Sequence, residues 1–96
     1  MTIELSHYDP ADFLDSPETM AAYLNATIED SEGDVGAIAN ALGAIARAKG
    51  MTGIAEEAGL GRQSLYKALS PEGNPTLETV YKVARVLGLR LSVEAA

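Results

Sequence analysis

Cysteine is absent from the 96 residues, which removes disulfides, thiolate metal sites and cysteine nucleophiles together. Tryptophan is absent as well, and phenylalanine occurs once, at Phe13, so no large aromatic pocket is expected. The single histidine, His7, leaves no His-rich metal cage and no Ser–His pair, and it is read as a chemically idle side chain on an N-terminal arm. No apolar run approaches the roughly 18–20 residues that span a bilayer. The opening Met1-Thr2-Ile3-Glu4 has no basic n-region, so no secretory signal is expected. A small, soluble, cytoplasmic domain without cofactor or metal is the starting expectation. A chain of this length buries only about 60% of its unfolded surface, so partners stand to add to its stability.

The most informative absence is of charge of one sign. Residues 1–46 contain nine acids (Glu4, Asp9, Asp12, Asp15, Glu18, Glu29, Asp30, Glu32, Asp34) and no Lys or Arg. Residues 47–96 hold all seven bases against five acids. The halves therefore carry −9 and +2, within a net charge of −7. Such asymmetry suggests two faces with different partners, although acids also simply solubilise a helical surface. The long-range field of an acidic chain repels phosphate, so any grip on DNA has to come from a local patch.

What is present is helical punctuation. Thr2-Ile3-Glu4-Leu5 alternates, as a short strand or an ordered arm would. Ser16-Pro17-Glu18 combines a hydroxyl cap, a first-position proline and a first-turn acid, and Met20, Tyr23, Leu24 and Ile28 follow at helical spacing. A first helix over about 17–30 is expected. Asp34 caps a second, with Val35, Ile38, Ala39, Leu42, Ile45 and Ala46 in one apolar stripe and Gly50 at its end. A third helix is expected from Thr52 to Ala58, closed by Gly59, and a fourth from Arg62 to about Leu69. Thr76 caps a fifth, with Leu77, Val80, Val83, Ala84 and Leu87 inward and Gly88 terminating it. Leu89, Leu91 and Val93 then alternate with Arg90, Ser92 and Glu94, as in a half-buried strand that pairs across a two-fold axis or folds back on its own chain.

Residues 54–69 have the spacing of a helix-turn-helix. Two steeply crossing helices need a small residue where they touch, which Ala55 supplies, and a turn residue tolerant of positive φ, which Gly59 supplies. Ile54, Ala58, Leu60, Leu65 and Leu69 are placed to lock the pair, which leaves Arg62, Gln63, Ser64, Tyr66 and Lys67 outside. Arg and Gln near a helix start reach guanine and adenine edges in the major groove, and Ser, Tyr and Lys hold phosphates. The plainer reading is an αα-corner in a helical bundle with no DNA role.

Residues 51–91 resemble the Xre/Cro-type (lambda-repressor-like) helix-turn-helix domain, most tellingly in Gly73-Asn74-Pro75-Thr76-Leu77-Glu78-Thr79-Val80 and Val83-Ala84-Arg85-Val86-Leu87-Gly88-Leu89. Over roughly residues 8–93 the chain resembles the addiction-module antidote family, HigA-like, in Tyr8-Asp9-Pro10-Ala11-Asp12-Phe13-Leu14-Asp15, Ala21-Ala22-Tyr23-Leu24, residues 41–51, Gly59-Leu60-Gly61-Arg62 and Leu65-Tyr66-Lys67-Ala68-Leu69-Ser70. The resemblance implies an all-α, five-helix lambda-repressor-like fold with an N-terminal helical extension and a short C-terminal strand. Its organisation would be an arm over 1–16 and one domain over 17–96, with the helix-turn-helix core at about 52–69. It also implies a type II antitoxin that neutralises a small basic RelE/HigB-like toxin by direct binding. Many such antitoxins also repress their own operon as homodimers on palindromic double-stranded DNA, and a dimer paired through the C-terminal strand would set two recognition helices about 34 Å apart, matching half-sites one helical turn apart. Carried over by position, Arg62, Gln63, Ser64, Tyr66 and Lys67 face DNA. Gly61 stands where a capping Ser or Thr is common in that family.

The acid-rich half supplies a surface for a basic toxin, with Tyr8, Asp9, Asp12, Phe13, Asp15 and Tyr23 as candidate contacts and Leu14 as a further apolar anchor. The competing reading packs these apolar side chains on the protein's own helices. Asp30-Ser31-Glu32-Gly33-Asp34 is no calcium loop, because its glycine and its twelfth residue, Ala41, are wrong for one. Gly59-Leu60-Gly61 lacks the third glycine of a dinucleotide fingerprint. No general acid and base are paired, and no enzyme is expected. Two further classes stay open: a stand-alone helix-turn-helix regulator, and a protein-binding module that no longer meets DNA.

Overall fold

The computed structural model describes residues 14–96, and over them the chain is all-helical. Its helices are α1 (Pro17–Asp30), α2 (Val35–Lys49), α3 (Met51–Ala58), α4 (Arg62–Ala68) and α5 (Leu77–Val86). Three begin at side-chain caps legible in the sequence. The Ser16 hydroxyl accepts from the Thr19 backbone N–H at 3.2 Å, and Thr19 Oγ1 accepts from the Ser16 N–H at 3.3 Å, closing a capping box ahead of Pro17. Asp34 Oδ2 accepts from the Ala37 N–H at 2.9 Å, and Thr76 Oγ1 accepts from the Thr79 N–H at 3.1 Å. Helices α3 and α4 start instead at Gly50 and Gly61, with no side-chain cap.

Helix α1 packs on α2, and α3 sits against α2, α4 and α5, so the short third helix is the centre of the arrangement. The core gathers Leu14, Met20, Leu42, Ile45, Ala46, Met51, Ile54, Ala55, Leu65, Leu69, Val83 and Leu87. Each fully buried large side chain there contributes about 1.5–3 kcal/mol relative to exposure. Leu65 and Leu69, one helical turn apart, are both fully buried and fasten α4 to this core. Between α3 and α4, Gly59 takes φ 70° and ψ 33°, in the left-handed region expected of it. The turn is closed by the Leu60 N–H donating to the Ala55 carbonyl at 2.9 Å.

Several expectations are corrected. The C-terminal alternation at Leu89, Leu91 and Val93 forms no strand: among the described residues there is no second strand to receive its backbone groups. The Leu89 N–H closes α5 on the Ala84 carbonyl at 2.8 Å, and Val93 is fully solvent-exposed. Leu77 does not face inward but is 76% exposed, because it opens α5 before the helix reaches the core at Val80. Val35 likewise opens α2 half-exposed. Helix α3 starts at Met51, not Thr52, since the buried Met51 side chain draws the first turn into the core. The alternating Thr2–Leu5 segment lies outside the described residues.

Candidate functional site

Helix α4 divides its side chains cleanly. Leu65 and Leu69 are buried below it, whereas Arg62, Gln63, Ser64, Tyr66 and Lys67 are all exposed. The five residues expected to face DNA therefore share the outer surface of one seven-residue helix. The Arg62 guanidinium lies 5.8 Å from the centroid of the Tyr66 ring one turn on, a cation–π arrangement that limits the wandering of a long side chain. Gln63 and Ser64 stand beside it in the first turn, next to Gly61. Such a face presents two planar hydrogen-bonding groups, Arg62 and Gln63, near a helix start and a cation, Lys67, near its end. That is the chemistry needed to read base edges and hold phosphates.

A second surface carries the opposite charge. Asp15, Glu18, Glu29, Asp30, Glu32 and Asp34 are all exposed along α1 and the α1–α2 turn. Among the described residues none of their carboxylates forms an ion pair; the ion pair present, Lys82–Glu78 at 2.9 Å, lies on α5. Two of the acids, Glu29 and Asp30, occupy the last turn of α1, where the helix dipole is already negative and no base offsets it. Glu32 takes a positive φ of 54°, a conformation that costs a non-glycine residue about 1–2 kcal/mol.

The residues expected to contact a toxin fare differently. Tyr8, Asp9, Asp12 and Phe13 lie outside the described residues. Asp15 is exposed, and its backbone carbonyl accepts from Lys49 Nζ at 3.5 Å. Tyr23 is half-buried against the core, and Leu14 is buried within it, so packing on the protein's own helices accounts for both.

The family model described as that of probable addiction module antidote proteins matches residues 4–95. The chain belongs to that family. It is also similar to an uncharacterized protein of Haemophilus influenzae, 46% identical over 94 residues that cover 98% of this chain and 95% of that protein. No solved structure matches it.

In this antidote-family chain, sequence reasoning passed over one feature. A groove of about 490 Å³ runs between α1, α2, α5 and the C-terminal segment, floored by Leu24, Ile38, Leu42 and Ala84. Ile28 and Leu91 stand at its walls, each more than two-fifths exposed. The signal was there in part, because Leu24 and Ile28 fall on one stripe, but a stripe does not tell whether a neighbour covers it. Among the described residues no helix is long and apolar enough to cross a membrane.

Proposed function

We propose that the protein is the antidote of a type II toxin–antitoxin pair: a cytoplasmic binding protein, not an enzyme, that neutralises a basic RelE/HigB-like toxin by direct contact. We further propose that it represses its own operon as a homodimer, reading a palindromic operator through a lambda-repressor-like helix-turn-helix made by α3 and α4. In this reading one domain over 17–96 follows an arm over 1–16, and Arg62, Gln63, Ser64, Tyr66 and Lys67 face the DNA. Tyr8, Asp9, Asp12, Phe13, Asp15 and Tyr23 are the proposed toxin contacts.

Family membership carries the antidote half of the reading. The exposure of all five polar residues on α4, above two buried leucines, supports the DNA half. The acid-rich surface of residues 15–34 supports a cationic partner, since complementary fields speed association and select against acidic competitors.

The test is co-expression with the small reading frame next to it, purifying through a tag on this protein alone. A basic partner that co-purifies, and is toxic when expressed by itself, upholds the antidote reading. Purification without a partner, together with a shift of the protein's own upstream DNA, would leave a stand-alone regulator instead. Co-purification with no DNA shift at any salt would reduce it to a protein-binding module.

A further inference from the structure

The groove between α1 and α5 has apolar walls and an acidic neighbourhood. Ile28 of α1 and Leu91 of the C-terminal segment both line it with much of their surface in water. A concave surface with exposed apolar side chains at its rim is a shape that a partner's side chains can fill. Its volume of about 490 Å³ admits several side chains of a partner. Glu18 and, from the C-terminal segment, Arg90 line it, and Glu29 and Asp30 follow Ile28 directly on the same helix. Asp15, Glu32 and Asp34 extend the negative surface, and among the described residues none of these carboxylates forms an ion pair.

We infer that this groove is the docking site for an amphipathic, cationic segment of the protein partner: an apolar stripe enters between Ile28 and Leu91 while flanking Lys and Arg side chains meet the acids of α1. The inference rests on the antidote reading, and it adds a contact on the helical body to those proposed for the N-terminal arm. A cationic occupant fits better than a second copy. Another copy brings the same net charge of −7 to the contact, whereas a basic segment neutralises the acids at the end of α1. The apolar stripe would set the lifetime of the complex, and the acids its rate of formation.

The experiment measures binding of the full-length protein to the product of the neighbouring small reading frame by surface-based kinetics. Ile28→Arg and Leu91→Arg place a cation in the lining of the groove, and Leu77→Arg, at an exposed position outside that lining, is the control. All three positions are solvent-exposed, and an unchanged melting temperature will verify folding. The groove variants are expected to weaken binding about tenfold or more, mainly through faster dissociation, while the control stays within about twofold. Glu29→Gln with Asp30→Asn is expected to slow association and flatten its salt dependence.

Wild-type affinity retained by both groove variants would overturn the inference and leave the antidote reading standing. If instead Ile28→Arg splits a wild-type dimer into monomers with partner binding intact, the groove belongs to a second copy and the inference is wrong. Failure of the wild-type protein to bind would overturn the antidote reading and this inference with it.

Discussion

The backbone carbonyl of Leu69, at the end of α4, occupies the space that a Cβ on Gly43 of α2 would need. Helix α2 therefore carries a glycine in its interior so that the end of α4 can rest directly on its backbone. By helix propensity alone, Gly43→Ala would gain about 1 kcal/mol. Here the obstacle is backbone fixed at a helix end and backed by the fully buried Leu69 side chain, not a flexible side chain that can swing away. Gly43→Ala is accordingly expected to destabilise the fold by about 1–3 kcal/mol in urea unfolding. Gly53, inside α3, is the counterexample, with nothing within 4 Å of its would-be Cβ. Gly53→Ala should stabilise by about 0.5–1 kcal/mol. Equal signs for the two substitutions would contradict this account.

Helix α4 begins at Gly61 with φ −69° and ψ 133°, the extended conformation that a capping residue adopts, yet it lacks a capping oxygen. A Cβ there would meet Ser64 Oγ at 3.6 Å, an ordinary contact. Gly61→Ser supplies a hydroxyl to accept from the Ser64 N–H without displacing anything. The expected gain is a few tenths of a kcal/mol. Removing the caps already present is the larger effect: Thr76→Ala should cost about 1 kcal/mol in the same assay.

How far the sequence discloses this protein depends on whether a signal is local. Ser16, Asp34 and Thr76 are caps whose partners lie three residues on, and all three do what their chemistry suggests. The division of α4 into buried Leu65 and Leu69 and exposed Arg62, Gln63, Ser64, Tyr66 and Lys67 follows from helical periodicity, and it too was legible. Leu77 misled because periodicity assigns a face but not the point at which a helix reaches the core. Leu89, Leu91 and Val93 misled because alternation describes a strand only when another strand is there to pair with it. The α1–α5 groove is the product of four segments distant in sequence, and no window along the chain contains it.

Glu78 and Lys82 form an i,i+4 ion pair on α5 at 2.9 Å, and the hydrogen bond and charge of Lys82 hold the Glu78 carboxyl below its ordinary pKa. A carboxylate whose pKa falls on folding stabilises the folded state above its unfolded-state pKa, and loses that contribution as pH drops through the folded-state value. Stability should therefore decline on acidification between about pH 5 and pH 3, and Glu78→Gln should lessen the decline. Because Glu78 is 73% exposed, the difference should be small and should vanish in high salt. Melting temperatures across that pH range, with and without about 1 M salt, check both features. A difference that survives high salt would mean that something other than this pair titrates.

The outer face of α4 makes separable predictions for DNA. Arg62, steadied over the Tyr66 ring at 5.8 Å, has the planar donor fork that matches the edge of a guanine, whereas Lys67 offers only a point charge. Arg62→Ala is expected to cost about 1–3 kcal/mol on the protein's own upstream DNA and to relax its preference for that sequence over scrambled DNA. Lys67→Ala should weaken both DNAs alike and reduce the slope of log affinity against log salt by about 1. Tyr66→Phe keeps the ring under Arg62 and removes the hydroxyl. Retained specificity with a modest uniform loss would assign the hydroxyl to phosphate and the ring to positioning Arg62. Fluorescence anisotropy at several salt concentrations measures all three variants on both DNAs. If Arg62→Ala and Lys67→Ala behave identically, α4 touches only the backbone of the duplex and base reading lies elsewhere.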